Sequence, residues 1–202
     1  MLLHKLMQNG YGKGREVIGL IGTHHGVGVT HTGLMLAFYM GEERLRKTAL
    51  LECNPHGDYG RIREAYEWSR EDGHSFSFHR ITCYGDVNEA AIAGIFSEDY
   101  ECLILDFGTD FSANREEFLR CGTKIIIGGR SQWDIPKLTA FTEASKAVRG
   151  NDSWLCFITQ ANEGRAKKIS REIGRKVYPV PRSEEPTLPT LITNQFFERI
   201  FR

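Results

Sequence analysis

The chain has 202 residues, enough for one medium domain with a substantial core, and 41% of them are hydrophobic, an ordinary share for a globular protein. Its 26 Lys and Arg balance its 26 Asp and Glu, so bulk charge gives no indication of nucleic-acid or anionic-membrane binding. No apolar run reaches membrane-spanning length, and the N-terminus lacks the apolar core and cleavage site of a secretory signal. The five scattered cysteines form no C-x-x-C pair, which fits buried free thiols in a reducing cytoplasm.

Residues 1–14 are expected to be a flexible N-terminus. The apolar run 17–21, stopped by Gly22, predicts a buried strand. A loop follows through Thr23, His24, His25, Gly26, Val27 and Gly28. Val29, Thr30 and His31 then open a helix that continues through Leu34, Ala37 and Phe38. Strand, glycine loop and helix in this order aim backbone N–H groups and a helix N-terminus at a phosphate. Against the phosphate-loop pattern G-x-x-x-x-G-K-[ST], Gly28 and Thr30 hold the last glycine and the hydroxyl position. Val29 stands where the lysine belongs, and Thr23 takes the first glycine position, with Gly22 just before it.

Residues 41–47 read as a polar connection, and 48–51 as a second buried strand ending at Glu52, with a turn marked by Pro55 and Gly57. A charged helix is predicted over 61–70, strands over 75–78 and 81–84, and an acid-capped helix over 86–96. The run 102–105 is a strand delivering Asp106 and, two residues on, Gly108. Helix 113–120, strand 124–127, a helix after Asp134, strand 154–158, helix 165–173 and strand 177–180 complete the alternation. The tail 190–202 reads as an amphipathic helix. This alternation predicts an α/β fold of one domain over 1–202, its mostly parallel twisted sheet covered by helices on both faces. Ligands bind beyond the C-terminal strand ends of such sheets, where the glycine loop, Glu52, Asn54, Asp106 and Gly108 all fall.

These residues resemble the deviant Walker A ATPases of the ParA/MinD (SIMIBI-class, P-loop) family. Its loop, K-G-G-x-G-K-[ST], aligns with His24, His25, Gly26, Val27, Gly28, Val29 and Thr30, so that His24 and Val29 replace both lysines. Its strand-D-x-D-P-x-G motif aligns with Glu52, Cys53, Asn54, Pro55, His56 and Gly57, and its third motif is kept at Ile104, Leu105, Asp106, Phe107 and Gly108. The degenerate loop also resembles TadZ/CpaE-like members, which localise pilus or secretion machinery.

The resemblance implies a P-loop NTPase fold that binds ATP or ADP with Mg²⁺. Thr30 and Asp106 would hold the metal, Glu52 would be the carboxylate linked to the activating water, and Pro181 would lie near the adenine base. It implies a homodimer and a protein partner in a positioning or assembly switch. Losing both lysines predicts weak or absent hydrolysis, the alternative being a nucleotide-free pseudo-ATPase scaffold. His24, His25, His31, Cys53 and His56 carry metal-donor atoms. The neighbouring His24 and His25 lack the i,i+4 spacing of a helical metal pair, so no structural metal is expected and anion contact suits His24 or His25 better. His31 is expected to point into or along its helix, and Arg130 to be a surface ion-pairing residue. The tail is expected to pack on the sheet; its two arginines are too few for a polybasic anchor, and peripheral membrane contact through it is the alternative to a wholly cytoplasmic protein.

Overall fold

The computed structural model describes residues 14–67, 70–73, 75–87 and 89–201. The expected flexible N-terminus therefore lies outside the described residues except for Gly14, as does Trp68 of the expected 61–70 helix. Among the described residues, nine strands form one sheet: β1 (Glu16–Gly22), β2 (Thr48–Glu52), β3 (Arg70–Asp72), β4 (Ser75–Phe78), β5 (Ile81–Tyr84), β6 (Cys102–Asp106), β7 (Thr123–Gly128), β8 (Leu155–Thr159) and β9 (Tyr178–Val180). Their spatial order is β3-β4-β5-β2-β6-β1-β7-β8-β9. Every pairing from β5 to β9 is parallel; β4 runs antiparallel to both its neighbours.

The helices are α1 (Val29–Phe38), α2 (Asp58–Ala65), α3 (Glu89–Ser97), α4 (Arg115–Arg120), α5 (Ile135–Ser145), α6 (Glu163–Ile173) and α7 (Leu191–Glu198). Side chains alternate across the sheet because successive strand residues point to opposite faces. Val17, Ile21, Leu103, Leu105 and Ile126 meet α3, α4, α5 and α6 in one core layer. Ile18, Leu20, Leu50, Ile104 and Ile127 meet α1, Tyr59 and α7 in the other. The expected α/β sheet covered on both faces is the observed one. The four cysteines at 83, 102, 121 and 156 are buried free thiols.

Three stretches differ from the sequence pattern. Residues 41–47 are not wholly a connection, because α1 widens into a π-helical turn over Tyr39–Glu43. The stretch 61–70 divides: α2 starts earlier, at Asp58, and Tyr66 is already extended, with φ −125° and ψ 152°. Arg70 instead pairs with Ser77 in an edge strand that local pattern did not reveal. The tail helix is short. Phe196 and Phe197 are buried, with Phe157 5.3 Å from Phe196 and Tyr39 5.4 Å from Phe197, while Leu191 and Ile192 face outward. Among the described residues, no helix is long and apolar enough to cross a membrane.

The π-helical turn brings Gly41 against β5, where an added Cβ would overlap Ile81 Cγ1 and lie 2.8 Å from Cδ1. Gly41→Ala is expected to destabilise the fold by about 1–3 kcal/mol through overpacking, read as a lower urea midpoint with an unchanged slope. An unchanged midpoint would mean that this turn and β5 are not packed as described.

Candidate nucleotide site

The loop after β1 is pinned at its start. The Gly22 N–H donates to the Gly108 carbonyl at 2.8 Å, and the Thr23 N–H to the Ile127 carbonyl at 2.9 Å. Gly22 admits no side chain, since an added Cβ would lie 2.6 Å from Val29 Cγ2 and 2.8 Å from Val27 Cγ1. Gly26 and Gly28 turn the chain at φ +76° and +94°, backbone angles that glycine adopts without strain. Gly28 caps α1, whose first amides, at Val29, Thr30 and His31, have no backbone acceptor among the described residues. These amides and the positive end of the helix dipole favour an anion above them.

Thr30 and Asp106, brought together from positions 76 residues apart, meet beneath the loop. The Thr30 hydroxyl donates to Asp106 Oδ2 at 2.7 Å. Asp106 Oδ1 accepts from the Gly108 N–H at 2.9 Å and from Asn54 Nδ2 at 3.2 Å, and Asn54 also donates to the Asp106 carbonyl at 3.0 Å. Asp106 is fully buried. Burial pushes its carboxyl up to about 6, against the hydrogen bonds from Thr30 and Gly108, while Glu52 and Asp58 add to the rise. A hydroxyl beside a carboxylate is a donor set that suits Mg²⁺ shared with nucleotide phosphates. Among the described residues no group of three or more His, Cys, Asp or Glu is arranged to hold a metal ion, so a cation here would draw its other ligands from phosphate and water.

Cavities open on both sides of the loop, with Gly26, Val27, Gly28 and His31 in the walls of each. The larger, about 390 Å³, reaches His24, Arg130, Asp134, Gln160, Pro181 and Arg182. Arg130 is exposed at the surface, as expected, and also lines this cavity; its guanidinium donates to the Gln160 carbonyl at 2.6 Å, and among the described residues it makes no ion pair. The smaller cavity, about 290 Å³, is lined by His25, Thr30, His56, Asp58 and Gly108. His31 looks outward from its helix between the cavities. Its burial pushes the ring pKa down, against a hydrogen bond with the Ser183 backbone and the charge of Glu185.

His24 is engaged within its own chain. Its Nδ1 lies 2.9 Å from Thr23 Oγ1 and its Nε2 3.2 Å from Asp134 Oδ1. Burial and then Lys137 push its pKa down, and Asp134 offsets this only in part. A neutral ring with its proton on Nε2 satisfies both contacts, accepting from Thr23 and donating to Asp134. Burial would raise the Asp134 pKa, but the hydrogen bonds from Lys137 and Ser131 and the His24 charge outweigh it and hold the carboxyl low. Val29, in the lysine position, is buried in the core beside Gly22.

Glu52, expected as the carboxylate linked to the activating water, is bonded to a neighbouring helix start. It is 2% exposed, and its Oε1 accepts from the Asp58 N–H at 2.6 Å and the Tyr59 N–H at 3.3 Å, so it caps α2. The extra methylene relative to aspartate carries the carboxylate to that helix end, and Glu52 lines a separate pocket with Gly57, Gly85 and Asp86. Asp58 and Asn54 take the places nearer the loop. Both lie in the Asn54-to-Asp58 turn, where polar residues after a strand end were a usable signal. Asp134, Gln160 and Arg182 had no comparable sequence signal.

No protein-family model matches this chain, and no curated protein matches it significantly. Solved structures do. A ParA family ATPase from Chlorobium tepidum aligns over 94% of this chain and 93% of its own, with a TM-score of 0.62 and 13% identity. The fold is that of the ParA/MinD ATPases. The septum site-determining protein MinD from Pyrococcus horikoshii, complexed with Mg-ADP, covers 93% of this chain and 96% of its own at TM-score 0.66 and 9% identity. The MinC:MinD cell division complex of Aquifex aeolicus matches at TM-score 0.57 and 11% identity, over 92% and 89%. At these identities the ParA/MinD likeness is one of fold.

The raised Asp106 pKa has a consequence for stability. A carboxyl titrating near 6 when folded and near 4 when unfolded stabilises the fold fully below about pH 4, and that contribution is lost as pH rises through about 6. Asp106→Asn is therefore expected to raise ligand-free stability at pH 7.5 by about 1–3 kcal/mol, with the gain vanishing near pH 4. Urea unfolding of both proteins across this range checks it, and a loss of stability at pH 7.5 would refute it.

Proposed function

We propose that the chain binds ATP or ADP along its phosphate loop with Mg²⁺ and acts as a nucleotide-dependent binding switch with weak or absent hydrolysis. The observation that carries this reading is the Thr30–Asp106 hydrogen bond, set under unpaired α1 amides and between two cavities that a nucleotide can span. In this reading base and sugar occupy the larger cavity near Gln160 and Pro181, and the phosphates follow the loop toward Thr30. Thr30 and Asp106 hold the metal, whose charge offsets that of the phosphates. Absent turnover follows from three side chains. Val29 offers no charge, Asn54 has an amide that cannot act as a general base, and Glu52 is occupied in capping α2. Self-association and docking to a protein partner complete the proposal, since a protein of this fold is a component of the MinC:MinD complex.

One observation favours a second reading, a nucleotide-free scaffold. Asp106 already has three donors, from Thr30, Gly108 and Asn54, so the fold tolerates this buried carboxylate without a cation. Calorimetry with Mg-ATP and Mg-ADP separates the two. The switch predicts saturable binding at micromolar to millimolar nucleotide, weakened at least about tenfold by Thr30→Val, the loss expected for one charge-assisted contact. No heat of binding at millimolar nucleotide would leave the scaffold. Multiple-turnover ATP hydrolysis by the unmodified chain would overturn the assignment of Asn54 and Glu52.

A further inference from the structure

Among the histidines of this site, His31 lines both cavities, His24 the larger, and His25 and His56 the smaller. His24 is held by Thr23 and Asp134, whereas His25 and His56 come from separate loops and meet on the other side. Their ring centroids are 5.3 Å apart with planes at 77°. His56 is packed over Gly108, where an added Cβ would lie 3.1 Å from the His56 Cε1. Among the described residues, neither ring makes a side-chain hydrogen bond or ion pair. Both face the cavity that Thr30 and the start of α1 also line, and no lysine or arginine lines it.

The other charges around this pair are of one sign or directed elsewhere. Asp58 lines the cavity from the start of α2, with Arg61 2.9 Å away on the exposed side. Asp106 lies below, bonded to Thr30. His31 is directed to Ser183 and Glu185 of the segment after β9. With both imidazoles neutral, a phosphate entering here meets two carboxylates and only backbone dipoles in its favour. With both protonated, two charged donors flank the same space.

We propose that His25 and His56 form an imidazole pair that receives the terminal phosphoryl group of the ligand and, on protonation, supplies the positive charge that Val29 does not. This rests on the nucleotide reading above and adds proton dependence to it. The ligand class is a terminal di- or triphosphate, and binding tightens as pH falls.

The test compares the parent chain with a His25→Gln/His56→Gln variant by calorimetry without Mg²⁺, using ATP and inorganic pyrophosphate at about pH 6 and about pH 8. Subtracting variant from parent cancels the ligand's own titration. Between the higher and the lower pH the parent is expected to tighten on both ligands about tenfold more than the variant does, the variant keeping only the change that the ligand's own titration and that of Asp106 bring. Ring-proton NMR of the parent provides a second measurement that needs no variant: the His25 and His56 signals should shift on pyrophosphate addition at the lower pH. An equal pH dependence in parent and variant, or ring signals that do not move, would overturn the pair. ATP binding without any histidine contribution leaves the nucleotide reading standing and removes the pair. Histidine-dependent pyrophosphate binding, with no ATP binding in the Mg²⁺ calorimetry above, removes the nucleotide reading and keeps the pair. Binding of neither ligand removes the pair and leaves the nucleotide reading to the Mg-ATP calorimetry above.

Discussion

The contact between the Thr30 hydroxyl and the Asp106 carboxylate, 2.7 Å long, ties the phosphate loop to the centre of the sheet. Asp106 ends β6, which lies between β2 and β1. Because these strands are parallel, their C-terminal ends open on one edge, and the loop, the turn after β2 and the Gly108 turn converge there. A carboxylate at that depth is costly unless its oxygens are bonded, and donors from three different segments meet it. The same bonds that make the charge tolerable determine how Thr30 and Asn54 are presented.

Around this fixed point the positive charge is distributed unlike that of a lysine-bearing phosphate loop. Val29 contributes to the core instead of the ligand side. Arg130 and Arg182 stand in one cavity and the His25–His56 pair in the other. His24 joins the loop to Asp134 at the start of α5, a contact made within one chain. The loop thus presents its backbone amides between cavities lined by guanidinium and imidazole side chains, with no lysine in either lining.

The central strands were legible because strands buried on both faces must be apolar at every position, as in 102–105 and 125–127. The edge strand Arg70–Asp72 was not legible, since its residues are charged and its extended form comes from pairing with β4. The early start of α2 depends on Glu52 reaching the amides of Asp58 and Tyr59 from another element. Glu52 reaches that helix end with the one methylene it has beyond aspartate. His24 and His25 are adjacent in sequence and chemically alike, yet face different cavities because the loop turns between them and Gly28.

The sequence by itself determined the layered α/β architecture, the glycine loop with its free helix amides, and the placing of Thr30 at a helix start and Asp106 at a strand end. These follow from hydrophobic periodicity and backbone freedom, which act over neighbouring residues. Only the tertiary structure decided which polar side chains meet: Asn54 with Asp106, His24 with Asp134, His25 with His56, and Glu52 with α2. Those pairings join segments far apart in the chain or choose between neighbouring side chains. They depend on distances and angles that local pattern does not encode.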